Sequence, residues 1–415
     1  MGYSKGAPMG LRIAILGGGM VAQVHRKAAI LAGAQIDGVL DYNYTASVRL
    51  ADEWGVGQAY TDIEQVVHSG VDVVHVCTPN STHLTYAKAA LEAGLNVVCE
   101  KPLGLSVAEA QELAQLAAQQ PVVAAVPFVY RYHPLVHEIR SRRLSGQLGQ
   151  LRLIHGSYLQ DWLASPGSSN WRVDPERGGV SRAFADIGSH WCDLVEWVSG
   201  ERISTVCADL AVAVPERPAQ AGPTFSAEPA TAGPSLAVTT EDLATVVFRT
   251  ATGVPGSLVV SQVSPGRLNR LWFELDAANF SAVFDQENPE TIWLGQLHGA
   301  QILARDPSSG SAGQRRLSVL PAGHPQGWGD CFNAFVADVY AAVQGATPEG
   351  LPTFEDGLRA AVITEAVLTS ARERGWAQLA APTPGELAGT GLPGQPGAGG
   401  EPAVVSASQG RGATL

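Results

Sequence analysis

Leu11-Arg12-Ile13-Ala14-Ile15-Leu16-Gly17-Gly18-Gly19-Met20-Val21-Ala22 reads as a strand, a glycine turn and the start of a helix that continues to about Leu31. Gly17, Gly19 and Ala22 make the pattern G-x-G-x-x-A. The first glycine permits the tight turn, the second lets a pyrophosphate approach the backbone, and the small third residue lets helix and strand pack closely. Unpaired N–H groups at the helix start, with the helix dipole behind them, favour negative charge. Gly17, Gly19, Met20 and Val21 are therefore expected to cradle a dinucleotide. A lone glycine pattern is weak; its position between strand and helix gives it meaning.

A second strand, Gln35 to Leu40, ends in Asp41, 24 positions after Gly17. A carboxylate there accepts two ribose hydroxyls and repels a 2′-phosphate. No cation follows until Arg49, so NAD is expected rather than NADP. The alternation continues with helices at 46–53 and 62–68, a strand at 71–77, and a helix from about Thr82 to Ala93. A strand at 95–99, a helix at 107–119 and a strand at 122–126 complete it. Strands alternating with helices imply right-handed βαβ units and a doubly wound parallel Rossmann sheet over residues 10–130. Thr78, Pro79 and Asn80 then lie at a strand's C-terminal end. So does Glu100-Lys101-Pro102, where a lysine stem can reach from the cofactor to a substrate. The plain structural alternative is a solvated Glu-Lys pair capping a strand.

The second part, 131–378, has a helix at 133–144 and a strand at 151–158. Polar and aromatic segments follow: Gln160-Asp161-Trp162 and Asn170-Trp171-Arg172. Strand-like runs at 206–213, 243–249, 256–263, 270–276, 280–284 and 291–294, without intervening helices, suggest one mostly antiparallel sheet. Residues 214–238 read as a loop insertion and 296–327 as a second long loop. Helices resume at 329–343 and 355–374. The Gly-, Pro-, Ala- and Ser-rich stretch 382–415 and the first nine residues are expected to be disordered tails. There is no internal repeat.

Asp186 and His190 stand four apart with Gly188 between them, Asp186 at or before a helix cap in this reading. An N-cap aspartate and a core histidine are the plain alternative. Chemistry favours another account. Oxidising a secondary alcohol releases a hydride and a proton. A neutral imidazole suits the proton near pH 7, and an ammonium stabilises developing alkoxide charge. A carboxylate can orient either group or hold a second hydroxyl. Lys101, Asp186 and His190 supply these three types.

Taken in order, G-x-G-x-x-A, then Thr78-Pro79-Asn80 with His83, then Glu100-Lys101-Pro102, then Asp186, Gly188, His190 and Asp193 resemble the Gfo/Idh/MocA oxidoreductase family over about residues 10–375. The resemblance implies NAD(P)-dependent redox chemistry on sugars, inositols or related polyols. It implies Lys101, Asp186 and His190 as the catalytic set, with His83, Glu100, Lys101 and Arg172 joining the cofactor contacts. It also implies a C-terminal α/β domain whose open sheet often mediates homo-oligomers, dimers or tetramers. Gln160, Trp162, Trp171 and His324 (in Gly323-His324-Pro325) are the expected substrate contacts, because aromatic faces stack on sugar C–H groups while polar groups take the hydroxyls. Tyr130 and Arg131 are assigned to the same set, or to bracing the domain junction. Two other readings stay open: glycoside cleavage through transient oxidation, and a non-catalytic sugar or NAD sensor.

The net charge of −12 argues against nucleic acid, which calls for a basic patch. No run of about 18 apolar residues predicts a membrane span, and no signal peptide is read at the N-terminus. The five cysteines include no C-x-x-C pair, so free thiols in a cytoplasmic protein, and no metal, are expected.

Overall fold

The computed structural model describes residues 10–219 and 234–379. The expected tails at 1–9 and 382–415, and the centre of the 214–238 insertion, lie outside the described residues.

The N-terminal part runs β1 (Arg12–Leu16), α1 (Met20–Leu31), β2 (Gln35–Leu40), α2 (Tyr44–Trp54), β3 (Gln58–Ala59), α3 (Ile63–Val67), β4 (Val73–Val76), α4 (His83–Glu92), β5 (Asn96–Cys99), α5 (Val107–Ala118) and β6 (Ala124–Ala125). Its six strands are parallel in the order β3-β2-β1-β4-β5-β6. The sequence reading lacks only β3, whose two residues are too few to show a period. β1, β4 and β5 are buried almost throughout, as continuous apolar runs in a sheet covered on both faces must be. Local chemistry sets the helix starts: Asn43 caps α2 through Ala46 N–H, and Ser106 caps α5 through Glu109 N–H.

The chain continues with α6 (Pro134–Leu144), β7 (Leu151–Leu159), α7 (Pro175–Gly178), a π-helical turn at Phe184–Gly188 and α8 (Ser189–Ser199). Then come β8 (Ile203–Ala211), β9 (Glu216–Pro218), β10 (Ser235–Ala237), β11 (Leu243–Thr250), β12 (Pro255–Ser261), β13 (Arg270–Ala277), β14 (Ser281–Asp285), β15 (Thr291–Gln296) and β16 (Gly299–Ala304). α9 (Ala312–Leu317), α10 (Trp328–Val343), α11 (Phe354–Glu373) and β17 (Ala377–Gln378) complete the order. Nine strands form one open sheet, β16-β15-β14-β13-β7-β12-β11-β8-β17. Within this sheet, among the described residues, only β7 and β12 pair in parallel. One face packs on α8 and α11, with Trp191, Phe248, Leu271 and Val367 in the core. The other face is open and leaves Val247, Val259, Trp293 and Ile302 substantially exposed.

Three expectations are corrected. The stretch 296–327 is not all loop, because β16 and α9 lie in it. The ends of the 214–238 insertion are not loop either: β9 and β10 pair as a small antiparallel ribbon. Asp186 does not cap a helix from outside; it lies inside the π-helical turn that runs straight into α8.

The helices at the end of the chain cross the expected division at residue 130. Phe332, Phe335 and Val339 of α10 share a core with Ile13, Ile15 and Ala22. The segment before α11 joins the edge of the parallel sheet, where Val126 N–H donates to Pro352 O at 3.1 Å.

Candidate active site

The C-terminal ends of β1, β2, β4 and β5 open into a crevice of about 880 Å³, closed on its far side by β7, the 160–172 segment and the π-helical turn. This is where open α/β sheets bind ligands. Gly17, Gly19, Met20, Val21, Asp41, Thr78, Pro79, Asn80, Glu100 and Lys101 all line it, as do Tyr130, Gln160, Trp162, Trp171, Arg172, Asp186 and His190. Gly17 has φ +97°, and a Cβ there would stand 2.7 Å from the Cys77 carbonyl oxygen. A Cβ on Gly19, the N-cap residue just before α1, would meet nothing within 4 Å. The turn is thus tight on its inner side and open toward the crevice, which fits a pyrophosphate over the helix start. Asp41 at the end of β2 fits ribose hydroxyls.

Lys101 and Asp186 meet. Lys101 Nζ donates to Asp186 Oδ1 at 2.5 Å and to the Asp186 main-chain oxygen at 2.9 Å. Arg172 Nε lies 3.4 Å from the same Oδ1, and its guanidinium stacks over the Trp171 ring. Burial pushes the Asp186 carboxyl up, but Lys101 and then Arg172 outweigh it and hold the group well below the ordinary carboxylate range. His190, one helical turn on, stands edge-on to Tyr130 and Phe128. Burial, and then the Lys101 charge, lower its pKa to about 3, so it is a neutral imidazole at working pH. Its Nδ1 is buried without a hydrogen-bond partner among the described residues. Gly188 lets the π-helical turn close, since a Cβ there would sit 2.8 Å from the Phe184 ring.

Behind Lys101 runs a buried polar chain absent from the sequence reading. Tyr340 Oη lies 2.9 Å from His75 Nε2, His75 Nδ1 lies 2.8 Å from His25 Nδ1, and His25 Nε2 lies 3.0 Å from Glu100 Oε1. One set of protons satisfies it all: Tyr340 donates to His75, His75 to His25, and His25 to the carboxylate. Burial raises the Glu100 carboxyl, but the His25 hydrogen bond and neighbouring charges leave it lowered overall. The other Glu100 oxygen accepts the Lys101 N–H at 3.2 Å. The signal available in sequence was a polar residue, His75, inside the apolar run Val73–Val76.

The wall opposite Lys101 is a second polar cluster. The Tyr130 and Tyr158 hydroxyls lie 2.6 Å apart, and Asn269 joins both while accepting from Gln160 at 2.9 Å. Trp162 Nε1 donates to Gln160 Oε1 at 2.9 Å. Tyr158 and Asn269 escaped the sequence reading because only the pairing of β7 with β13 brings them together.

Three expected contacts stand elsewhere. His83 does not face the crevice: it is fully buried, with its ring nitrogens 2.8 Å from Pro102 O and 3.0 Å from Thr78 O, tying the two motifs together. Arg131 is also buried, held between Asp193 and Asp356, with its Nη2 2.7 Å from Asp356 Oδ1. Those two carboxylates overcome the burial that would lower its pKa and raise it. It braces α8 against the start of α11. His324 is exposed outside the crevice lining and is tied down through its main chain, its N–H donating to Pro321 O at 3.1 Å and its oxygen accepting from Arg305 at 2.7 Å.

Residues 11–128 match the family model described as the oxidoreductase family with an NAD-binding Rossmann fold, and residues 136–280 match the Gfo/Idh/MocA C-terminal domain. The chain belongs to the Gfo/Idh/MocA oxidoreductase family. Among similar members of this family is a levoglucosan dehydrogenase of Pseudarthrobacter phenanthrenivorans, 27% identical over 397 residues that span 89% of this chain and 98% of that one. A D-glucoside 3-dehydrogenase of Escherichia coli is 30% identical over 46% of this chain and 54% of its own length. Among solved structures, a levoglucosan dehydrogenase in complex with NADH and L-sorbose superposes with a TM-score of 0.80 at 27% identity, covering 89% of this chain and 99% of that chain. An oxidoreductase domain protein from Kribbella flavida gives the same TM-score of 0.80 at 29% identity, covering 90% of this chain and all of its own. The Gfo/Idh/MocA chain described here is thus an NAD-binding oxidoreductase.

Proposed function

We propose that this oxidoreductase oxidises a secondary alcohol of a cyclic sugar, anhydrosugar or polyol with NAD, and that Lys101, Asp186 and His190 carry the chemistry. The observation that carries this reading is the Lys101 ammonium 2.5 Å from Asp186, one helical turn from His190, whose Nδ1 has no hydrogen-bond partner among the described residues, all three lining the crevice. The fold would hold the dinucleotide on Gly17, Gly19, Met20 and Asp41, and bound NAD supplies the hydride acceptor. His190 takes the hydroxyl proton; because its basicity is low, it accepts that proton only as alkoxide character develops. The Lys101 side chain is mostly buried, and there its charge stabilises the oxyanion more strongly than it would in open water. Asp186 fixes the lysine. The Tyr130–Tyr158–Asn269–Gln160 cluster offers hydroxyl partners, and Trp162 and Trp171 offer faces for sugar C–H groups. The names of the levoglucosan and glucoside dehydrogenases support the substrate class.

The open face of the nine-stranded sheet, with Val247, Val259, Trp293 and Ile302, supports self-association as a homo-oligomer. The five free thiols support a reducing, cytoplasmic compartment.

The test is a panel of monosaccharides, inositols and anhydrosugars assayed with NAD and with NADP by absorbance of the reduced nicotinamide. Steady NADH formation with at least one cyclic polyol is expected. Glycoside cleavage without net NADH, or binding without turnover across the panel, would overturn the reading.

A further inference from the structure

The catalytic carboxylate has a back as well as a front. Asp186 Oδ1 faces Lys101 and Arg172, while Oδ2 accepts Gln262 Nε2 at 2.7 Å. Gln262 follows β12 and is wholly inaccessible to solvent. Its amide oxygen faces Arg182 Nη1 at 3.4 Å. Arg182 is buried too and donates to Thr240 Oγ1 at 3.2 Å, to Thr240 O at 3.3 Å and to the Asp242 carboxylate. Asp242 Oδ1 also accepts Arg217 Nη2 at 3.0 Å, and its Oδ2 accepts Val214 N–H at 2.8 Å. The Gln262 main chain is pinned at both ends, with its N–H on Asp242 O at 3.0 Å and its carbonyl accepting Leu163 N–H at 3.2 Å.

This network has one consistent orientation. A carboxylate accepts only and a guanidinium donates only, so the Gln262 amide must turn its NH₂ to Asp186 and its oxygen to Arg182. A flipped amide would set oxygen against oxygen and N–H against N–H. The turn that bears Asp186 is pinned as well: Glu241 Oε1 accepts Ser181 Oγ at 2.8 Å, Arg182 N–H at 3.0 Å and Phe184 N–H at 2.9 Å. Without the Gln262 donor, Asp186 is free to rotate, and two cations in front compete for it. A carboxylate turned toward the planar Arg172 fork draws Oδ1 off Lys101.

We infer that Gln262, backed by Arg182 and Asp242, is a positioning residue that holds the Asp186 carboxylate so that one oxygen stays on Lys101. The inference rests on the reading of Lys101 and Asp186 given above. It is tested on the full chain with the best substrate of the panel, measuring Q262L, Q262E and Lys101→Ala side by side. Q262L is expected to lower kcat by about 10- to 100-fold, the scale on which a small misplacement of a reacting group acts, with KM for NAD little changed. Q262E keeps the shape, but it donates to Asp186 only when protonated and repels it when ionised. Its kcat relative to wild type is therefore expected to fall as pH rises from 5.5 to 8.5. A Q262L enzyme with wild-type kcat, or a flat ratio for Q262E, would overturn the inference. The Q262E ratio decides alone where Q262L fails to fold. Full turnover by Lys101→Ala would instead sink the underlying reading of the site.

Discussion

Lys101 Nζ reaches Asp186 twice, through the carboxylate at 2.5 Å and through the main-chain oxygen at 2.9 Å. The first bond depends on the side chain and the second on the π-helical turn. Asp186→Asn should therefore leave the lysine in place but remove the charge that orders it. Turnover should drop by roughly 10²-fold, the scale of losing one preorganised electrostatic partner, with NAD binding preserved. Steady-state kinetics with NAD varied separates the two, and a rise in KM for NAD with unchanged kcat would place Asp186 on the cofactor instead.

The pH dependence of activity follows from His190. The neutral form is the base, it exists above the folded pKa of about 3, and it is lost only as pH falls through that value. The kcat/KM profile for the sugar should be free of an acid limb centred at the ordinary histidine value of about 6.5. A limb there would mean that His190 is solvated in the working enzyme.

Stability should depend on pH through the same physics. Burial lowers His133, His137 and His190 to about 3. Between about 6.5 and that value the unfolded chain binds protons that the folded chain does not, so these groups make stability fall with falling pH. Each contributes up to about 1.4 kcal/mol per pH unit. Urea midpoints at pH 7.5 and pH 5 compare the two directly, and the lower value is expected at pH 5.

Arg131 offers a separation of structure from catalysis. Arg131→Met leaves Asp193 and Asp356 without their shared cation, which should cost about 3–5 kcal/mol, as breaking a buried ion pair does. Because the guanidinium does not line the crevice, kcat/KM of the folded fraction should stay within a few-fold of wild type. A large KM effect without destabilisation would return Arg131 to the substrate set.

Asp41 carries the cofactor choice. Asp41→Ala should raise KM for NAD by about tenfold, the scale of one or two lost hydroxyl hydrogen bonds, while lowering KM for NADP by removing a like charge. Unchanged selectivity would contradict the role of this carboxylate.

Much of this was legible because the signals are local. The strand, turn and helix around Gly17, the acid ending β2 and the Glu100-Lys101-Pro102 corner each declare themselves within a few residues. The alternation of 243–249 and 270–276 likewise shows which side of each strand is buried. What escaped the sequence depends on distant partners. β16 is an exposed edge strand, so its residues lack a buried face to set a period. Gln262, Tyr158, Asn269 and His25 are polar residues whose meaning comes from what the sheets bring beside them. His83 and Arg131 show the converse. Each sits next to a motif in sequence, yet each turns away from the crevice to satisfy buried main-chain or carboxylate groups.

The most direct measurement is single-turnover formation of NADH by wild type and by Lys101→Ala, mixed with saturating NAD and the best substrate of the panel. NAD affinity is measured separately by titration. A rate about 10²- to 10⁴-fold lower in the variant is expected, the range for a positioned acid–base group, with NAD affinity and thermal unfolding close to wild type. An equal single-turnover rate would contradict the account, because it would mean that the Lys101 ammonium beside Asp186 takes no part in the chemistry.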